Sequence, residues 1–257
     1  MTALLRTEGI KKAYGGNQAL NGATIAVEEG TVAGLIGPNG SGKTTLFNVI
    51  TGYERPDEGQ VLFSDRQITG WGPDKVFAAG IGRTFQLTRI FSRLTVLENM
   101  LVAAQAKDRP KNVLSWFGRD AWTHHRRHAH ELLKFVGIEG HADVLAGSLS
   151  YGQRKLLELA YVLVADPAVI LLDEPAGGVN PTLINHIADR IRYLNTEQGK
   201  TFLLVEHNME FVMGLCSNIT VLESGATVVS GPPEIVRTDK RVLDAYLGVD
   251  LEEEDVR

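Results

Sequence analysis

The chain has 257 residues, of which 44% are hydrophobic and 22% charged, and it carries a net charge of -5 at pH 7. This length can bury a sizeable core and favours one large domain with a subdomain, while the acidic balance gives no reason to expect nucleic acid as a partner. The only cysteine, Cys216, excludes an intrachain disulfide and is typical of a reducing compartment.

The lengths of the apolar segments indicate whether the chain itself could enter or cross a membrane. Residues 1–16 lack the long apolar core of a secretory signal. The longest apolar runs, such as "AVILL" at 168–172, fall far short of the roughly 20 residues that cross a bilayer. We expect the chain to stay where it is made, so that work at a membrane would need a partner that holds it there.

The elements predicted along the chain alternate between strands and helices. The first forty residues alternate in polarity and contain turns, which indicates antiparallel strands beside a main sheet. Apolar segments at 31–37, 168–174 and 201–207 predict strands buried on both faces of a mostly parallel sheet. Residues 218–231 have two β-rich halves around a Ser-Gly turn and predict a hairpin.

The middle third of the chain lacks strand signals and carries apolar residues at helical spacing, which predicts an inserted helical subdomain. We therefore expect an α/β fold in a single domain. Its predicted parts are an α/β core with the antiparallel strands at about 1–88 and 165–230, the helical subdomain at about 89–164, and a C-terminal helix with an acidic tail at about 231–257.

The stretch "GPNGSGKTT" fits the phosphate-loop pattern G-x-x-x-x-G-K-[ST], with a predicted strand before it and a helix after it. Glycines let backbone N–H groups turn toward phosphates, and the helix N-terminus adds partial positive charge. The motif assigns Lys43 to the β- and γ-phosphates and the Thr44 hydroxyl to Mg²⁺. An ordinary glycine turn with a surface lysine is the alternative, which both correct flanks disfavour. The predicted nucleotide-binding residues are Gly37, Pro38, Asn39, Gly40, Ser41, Gly42, Lys43, Thr44 and Thr45.

Two carboxylates end the predicted strand "VILLDE". They lie at the carboxyl edge of the sheet, where open α/β sheets bind ligands. Asp173 can hold Mg²⁺, and Glu174 is placed to orient or deprotonate a water molecule. Acidic residues often end strands, so this pair indicates nucleotide hydrolysis only in combination with the phosphate loop.

Two further polar residues follow the same logic. Gln86 lies where the α/β pattern gives way to helices and could contact the metal or the water. His207 ends the next buried strand and places an imidazole at the same edge of the sheet. Each by itself is more often a solvated polar residue than a catalytic one.

A second stretch, "LSYGQ" at 149–153, also places a hydroxyl and a glycine before a predicted helix, as phosphate sites do. One nucleotide needs only one phosphate loop, so the sequence by itself leaves the ligand of this stretch open.

The histidine-rich segment "HHRRHAH" invites a metal interpretation, because His124 and His128 share a helix face. Zinc sites need three or four convergent ligands, and "HELLK" lacks the second histidine of H-E-x-x-H. We expect a basic, solvated helix face here and no zinc.

Taken in order, these motifs resemble those of the nucleotide-binding subunit of ATP-binding cassette (ABC) transporters over nearly the full chain. The resemblance implies a P-loop NTPase (RecA-like) core, binding of ATP and Mg²⁺, and ATP hydrolysis. It assigns Glu174, His207 and Gln86 to catalysis, and Thr44, Gln86 and Asp173 to the metal. Tyr14 matches the aromatic residue that stacks on adenine in this family.

The resemblance also answers what "LSYGQ" binds. In the family two such subunits form a head-to-tail dimer, and the signature of each faces the phosphate loop of the other. It therefore implies that Ser150, Gly152 and Gln153 contact the nucleotide of a second ATPase subunit, identical or different. Permease subunits would hold the pair at the cytoplasmic face of the membrane, and a solute-binding protein would act through the permease.

Two residues depart from the commonest family pattern. Tyr151 stands where glycine is usual, so its ring must point away from the nucleotide. Asn180 stands where many relatives carry aspartate, so we expect communication between the two sites to differ in detail.

Several longer segments most resemble ATPases of high-affinity branched-chain amino acid importers. They include "GIGRTFQLTRIFSRLTVLENMLVA", "LSYGQRKLLELA", "EPAGGVNP" and "IVRTDKRVLDAYLG". Importers of urea, amides or other polar solutes are the alternative. A soluble ABC-type ATPase acting on DNA or the ribosome predicts a coiled-coil insertion or two cassettes, and a non-hydrolysing regulator predicts loss of Glu174 or His207. Neither prediction fits this sequence.

A groove between the core and the helical subdomain is the expected site of membrane coupling. Leu87, Ile90, Phe91 and Leu97 follow Gln86 closely and could receive a short permease helix. The alternative is that these side chains pack inside the subdomain.

Overall fold

Two β-sheets organise the chain in this computed structural model, which describes residues 3–84, 90–107 and 119–242. In chain order the strands are β1 (Ala3–Tyr14), β2 (Asn17–Glu28), β3 (Val32–Ile36), β4 (Glu58–Phe63), β5 (Arg66–Gln67), β6 (Ile81–Arg83), β7 (Val169–Asp173), β8 (Thr201–Val205), β9 (Asn218–Glu223) and β10 (Ala226–Gly231). The helices are α1 (Lys43–Ile50), α2 (Pro73–Ala78), α3 (Val96–Lys107), α4 (Arg119–Val136), α5 (Tyr151–Leu163), α6 (Pro181–Gln198), α7 (Met209–Leu215) and α8 (Pro233–Thr238).

The larger sheet has the strand order β10-β9-β3-β8-β7-β6. Its strands pair in parallel from β9 to β6, and only β10 is antiparallel, as half of the predicted hairpin with β9. The smaller sheet is antiparallel and has the order β2-β1-β4-β5. The predicted α/β fold with an antiparallel sheet beside it is thus confirmed.

The parallel strands are apolar on both faces because each face meets a different core. Along β8, Phe202 and Leu204 join a cluster that contains residues of α3 to α7. Leu203 and Val205 alternate with them and join a second cluster with α1 and the antiparallel sheet. This alternation follows from the two-residue period of a strand and accounts for the continuous apolar runs.

The described part of the middle third is helical, as predicted. Met100 of α3, Leu133 of α4 and Leu157 of α5 are fully buried in one cluster. A single isolated bridge, between Thr95 and Leu145, is its only β pairing within the described ranges. The exact boundaries of core and subdomain stay a prediction.

Strands β4, β5 and β6 were not predicted, and the last two are very short. β6 has three residues, one of them a glycine, and β5 has two, so neither is long enough to display a two-residue period. No helix within the described ranges is long and apolar enough to cross a membrane. Gln86 and Leu87 lie outside the described residues, as does the acidic tail.

Candidate functional site

Three loops meet at the carboxyl edge of the parallel sheet. β8 lies between β3 and β7, with Leu35 and Asp173 each registered against Val205. The residues that follow these strands are Gly37, Glu174 and Glu206. The candidate phosphate loop, the two carboxylates and the His207 segment therefore share one edge, where open α/β sheets bind ligands.

The phosphate loop leads directly into α1. Its N-cap is Gly42, with φ 100°, and no side chain caps the helix. A Cβ at Gly42 would lie 2.5 Å from the Ala19 carbonyl oxygen, and one at Gly37 would lie 2.2 Å from that of Leu222. Only glycine fits these two positions, and the first amide groups of α1 face no competing N-cap side chain.

The Lys43 ammonium lies within the loop. It donates to the carbonyl oxygens of Gly37 at 2.7 Å and Pro38 at 2.9 Å. Burial lowers the pKa of Lys43, and the negative charges of Glu174 and Asp173 oppose that shift. The lysine is thus electrostatically linked to both predicted carboxylates, across a large sequence separation.

The other loop residues differ in exposure. Ser41 is buried, and its carbonyl oxygen accepts a hydrogen bond from the Gly225 amide in the β9–β10 turn. Asn39, Gly40 and Thr44 are exposed, and Pro38 and Thr45 are half-buried. The hairpin thereby contacts the loop at the buried Ser41, while Asn39, Gly40 and Thr44 remain accessible.

Asp173 ends β7 and is buried. Its Oδ2 accepts a hydrogen bond from Arg83 Nη2 at 3.0 Å, and the pair forms a buried ion pair. Arg83 Nη1 also donates to Asn48 Oδ1 at 2.7 Å and Thr51 Oγ1 at 3.0 Å, both on the α1 side. Arg83 therefore ties the carboxylate to the phosphate-loop helix.

Sequence reasoning missed Arg83. The signal was a cation that ends a strand immediately before the polar Gln86 segment, at the same sheet edge as the two acids. Because Arg83 is 90 residues from Asp173, no local pattern pairs them.

Glu174 has a left-handed backbone with φ 49°. Its amide donates to Val205 O at 2.9 Å, and its carbonyl oxygen accepts from Lys155 Nζ at 3.0 Å. The side chain is partly exposed, with Oε1 4.0 Å from His207 Nδ1. The structure therefore brings the predicted pair together, with the imidazole largely exposed.

Glu206 is a second missed residue. It is fully buried, and its carboxylate accepts hydrogen bonds from the amides of Ala176 at 2.6 Å, His207 at 3.1 Å and Asn208 at 3.4 Å. Burial raises the pKa of Glu206, against the lowering effect of these three amides and of His207. The carboxylate joins the loop after Glu174 to the His207 segment.

The "LSYGQ" stretch begins α5 with a capping box. Ser150 Oγ accepts from the Gln153 amide at 3.3 Å, and Gln153 Oε1 accepts from the Ser150 amide at 2.9 Å. Gln153 Nε2 also lies 3.0 Å from His141 Nε2. A Cβ at Gly152 would lie 2.3 Å from Leu183 Cδ2, so α5 packs closely against α6 there and a larger residue would displace the Leu183 side chain.

The two departures from the family pattern have local explanations. Tyr151 is 46% exposed, and its ring packs beside Gly178, where a Cβ would lie 3.1 Å from Tyr151 Cε1. Asn180 is the N-cap of α6 and accepts from the Leu183 amide at 2.9 Å. Asparagine is among the best N-cap residues, so Asn180 is well suited to the start of this helix.

Tyr14 ends β1 and is 44% exposed. The Lys12 ammonium lies 5.4 Å from its ring centroid. Partial burial raises the pKa of Tyr14, with the nearby Glu54 charge acting in the same direction and Lys12 opposing it. The side chain is therefore partly accessible, and stacking on a base needs an accessible ring face.

A groove of about 970 Å³ lies between the α/β core and the helical region. Ile90 and Phe91 line it, together with Phe77 of α2 and Tyr161 of α5. Leu97 does not, because it is buried in the helical core. For Leu97 the alternative of packing inside the subdomain therefore holds, and Leu87 lies outside the described residues.

The histidine-rich segment lies on α4. His124 is exposed, and His128 Nδ1 lies 3.9 Å from Glu131 Oε2 on the same helix. No three His, Cys, Asp or Glu side chains converge as metal ligands anywhere in the part of the chain that the structure describes.

Comparisons with known proteins agree on one family. The model of the ABC transporter family matches residues 20–177. The chain is 37% identical over 249 residues to the high-affinity branched-chain amino acid transport ATP-binding protein BraF of Pseudomonas aeruginosa, covering 95% of this chain and 98% of that protein. It is 36% identical to LivG of Escherichia coli K12, a protein of the same description, with the same coverage.

Solved structures give the same result. The ADP conformation of MJ1267, an ATP-binding cassette of an ABC transporter, has a TM-score of 0.83 and 34% identity, covering 96% of this chain and 100% of that one. The cassette MJ0796, in a dimeric post-hydrolysis state bound to ADP and Pi, has a TM-score of 0.78 and 25% identity, covering 89% and 98%.

Proposed function

The chain belongs to the ABC transporter family, and from that premise we propose that it powers the uptake of branched-chain amino acids. It is an ATP-binding ATPase subunit. The observation that carries the mechanism is the meeting of the phosphate loop, Asp173, Glu174 and His207 at one sheet edge. The name shared by its relatives supports the solute.

ATP would bind first at the phosphate loop of one subunit. The uncapped N-terminus of α1 supplies amide donors and partial positive charge to the phosphates. Lys43 would exchange its contacts with Gly37 and Pro38 for phosphate oxygens, while Tyr14 stacks on adenine. Burial lowers the pKa of Lys43 and so disfavours its ammonium, and the negative charge of the phosphates would oppose that shift.

The oxygen donors at this edge fit Mg²⁺. Asp173 offers a carboxylate that Arg83 holds in place, and Thr44 offers an exposed hydroxyl on the first turn of α1; hard cations prefer such ligands. Gln86 is the third proposed ligand. When bound, the cation neutralises charge on the β- and γ-phosphates.

Hydrolysis needs an oriented water and little covalent chemistry. Glu174 would accept a proton as the water oxygen attacks the γ-phosphorus and the bond to the β–γ bridging oxygen breaks, which yields ADP and inorganic phosphate. His207, whose Nδ1 lies 4.0 Å from Glu174 Oε1, would contact the γ-phosphate. Glu206 fixes the backbone of His207 and acts as a positioning residue.

The second half of each site would come from another subunit. Ser150 Oγ accepts a hydrogen bond from the Gln153 amide. Its own hydroxyl hydrogen could still be donated to a phosphate oxygen. Together with Gly152, Gln153 and the α5 N-terminus, it would contact the nucleotide on the partner's phosphate loop. The dimeric form of the related MJ0796 supports a dimer.

The groove lined by Ile90 and Phe91 would receive a helix of the permease. The permease would hold the dimer at the cytoplasmic face of the membrane, with a solute-binding protein on the opposite side. This arrangement supplies the membrane attachment that the described helices do not provide.

Uptake measured with the purified transporter tests the proposal that branched-chain amino acids are the transported solutes. The complex that co-purifies with the chain is reconstituted in proteoliposomes with ATP inside, and uptake of labelled leucine is measured beside uptake of urea. We expect ATP-dependent leucine uptake that Glu174→Gln abolishes. Uptake of urea without leucine would contradict the proposed solute, and uptake by Glu174→Gln equal to wild type would contradict the role of Glu174.

A further inference from the structure

Lys155 joins two segments that serve different ATP sites in the proposed dimer. It lies in the second turn of α5, after the signature, and the residue is only 6% exposed. Its Nζ donates to the carbonyl oxygen of Glu174 at 3.0 Å. The signature would serve the partner's ATP, whereas Glu174 would serve the ATP on its own subunit's phosphate loop.

The backbone of Glu174 needs such support. With φ 49°, it occupies a left-handed conformation that side-chain-bearing residues adopt rarely. Its carbonyl oxygen accepts from Lys155 Nζ and from the Gly177 amide at 3.1 Å. The direction of the Glu174 side chain follows from this backbone, so loss of the lysine contact would alter where the carboxylate points.

A second contact links the same helix to the same loop. The Tyr151 ring packs beside Gly178, where φ is 69° and a Cβ would lie 3.1 Å from Cε1. The ring centroid is 5.7 Å from Lys155 Nζ. The unusual tyrosine of the signature therefore covers the buried lysine and touches the loop that follows Glu174.

Close packing makes α5 and this loop respond together. Gly152 lies so near Leu183 that a Cβ there would come within 2.3 Å of Cδ2. Leu183 belongs to the first turn of α6, which follows the loop directly. Because packed interiors resist independent shifts of neighbours, displacement of the α5 N-terminus would reach the loop through Lys155, Tyr151 and Leu183.

We propose that Lys155 is a positioning residue that couples the two ATP sites, by transmitting engagement of the signature to the backbone of the same subunit's Glu174. The inference rests on the proposed function, since only the dimer brings a nucleotide to the signature. Hydrolysis at one site then depends on ATP at the other. Loss of the Lys155 contact should therefore change the rate and the cooperativity of ATP hydrolysis, and it should leave nucleotide binding by the monomer unchanged.

The test compares Lys155→Met, which keeps the length of the side chain but removes the ammonium, with Lys155→Arg, which keeps a donor. ATP hydrolysis by the complete transporter is measured against ATP concentration. For Lys155→Met we expect kcat to fall by about 10- to 100-fold, as a misplaced catalytic group would cause. The Hill coefficient should fall to about 1 from a wild-type value clearly above 1, for which two sites set a ceiling of about 2. Lys155→Arg should retain cooperativity.

Nucleotide binding and dimer formation separate this inference from the proposed function. In a Glu174→Gln background, Lys155→Met should bind ATP and dimerise as the parent does. If the Glu174→Gln parent binds ATP but does not dimerise, the proposed function fails. If it dimerises and Lys155→Met keeps the wild-type Hill coefficient and kcat, or if wild type shows no cooperativity, only the coupling fails. Lys155→Gln replaces Lys155→Met should the latter not fold.

Discussion

Two helices of this chain begin at candidate phosphate sites, and they differ in how their first amide groups are satisfied. α1 follows Gly42 and has no side-chain cap, and a half-buried lysine lies at its start. α5 follows Ser150, which forms a capping box with Gln153. The first amide groups of α1 are therefore available to bind an anion, whereas those of α5 are partly hydrogen-bonded by the capping box.

The difference teaches that the sites have unequal roles. α1 offers uncapped amides, helix charge and the Lys43 ammonium, which together suffice to hold phosphates. α5 offers the Ser150 hydroxyl with fewer available amides, and the cation on its first turn, Arg154, donates to the Leu149 carbonyl oxygen at 2.9 Å. α5 is suited to recognise a phosphate that another segment already holds. Substitutions at the two helix starts should therefore separate binding from dimer closure.

The largest expected effect on nucleotide binding is at Lys43. Lys43→Ala removes charge-assisted hydrogen bonds to phosphate, so ATP affinity of the monomer should weaken by about 10- to 100-fold. Titration with a fluorescent ATP analogue measures it, and Lys11→Ala, on the exposed face of β1, is the control. Unchanged affinity in Lys43→Ala would contradict the assignment of this loop.

At the other helix start, Ser150→Arg should leave monomer affinity within about twofold, because the monomer holds ATP through α1. Hydrolysis should fall by about 100-fold or more, since a bulky cation occupies the place of a donor to the γ-phosphate. Steady-state phosphate release and the same binding titration report the two quantities. If Ser150→Arg lost as much ATP affinity as Lys43→Ala, the proposal that only α1 holds ATP in the monomer would be contradicted.

The smallest expected effect is at the start of α6, a third helix whose first amide groups are capped by a side chain. Asn180→Ala removes the cap of α6 and should lower the free energy of unfolding by about 1 kcal/mol, as measured by urea denaturation. Asn180→Asp keeps an acceptor and should match wild type. If Asn180→Asp also changed the Hill coefficient for ATP, the residue would have a role in site communication beyond its cap.

Much of this arrangement was predictable from local sequence. The phosphate loop, the β7 acids and the β9–β10 hairpin are carried by short, strongly patterned segments, and the structure brings the first two together. The signature was recognisable through family resemblance, since its physical role involves a second chain.

The remaining contacts depend on long-range packing. Arg83 reaches Asp173, and Lys155 reaches the Glu174 carbonyl, across 90 and 19 residues. Charged residues in such positions look like solvated surface until the sheet and α5 are assembled around them. Glu206 likewise follows an apolar strand, where its burial is decided by the loop 174–180 that folds over it. A window of sequence contains none of these partners.

A mixing experiment tests the split site most directly. Lys43→Ala and Ser150→Arg are each introduced into Glu174→Gln, and association with ATP is followed on a sizing column. Neither variant should dimerise by itself, because each lacks one half of both sites. Mixed together they should form a heterodimer that retains one ATP, built from the phosphate loop of the Ser150→Arg chain and the signature of the Lys43→Ala chain. Dimerisation of Ser150→Arg by itself, or no heterodimer in the mixture while the Glu174→Gln parent dimerises, would contradict the account.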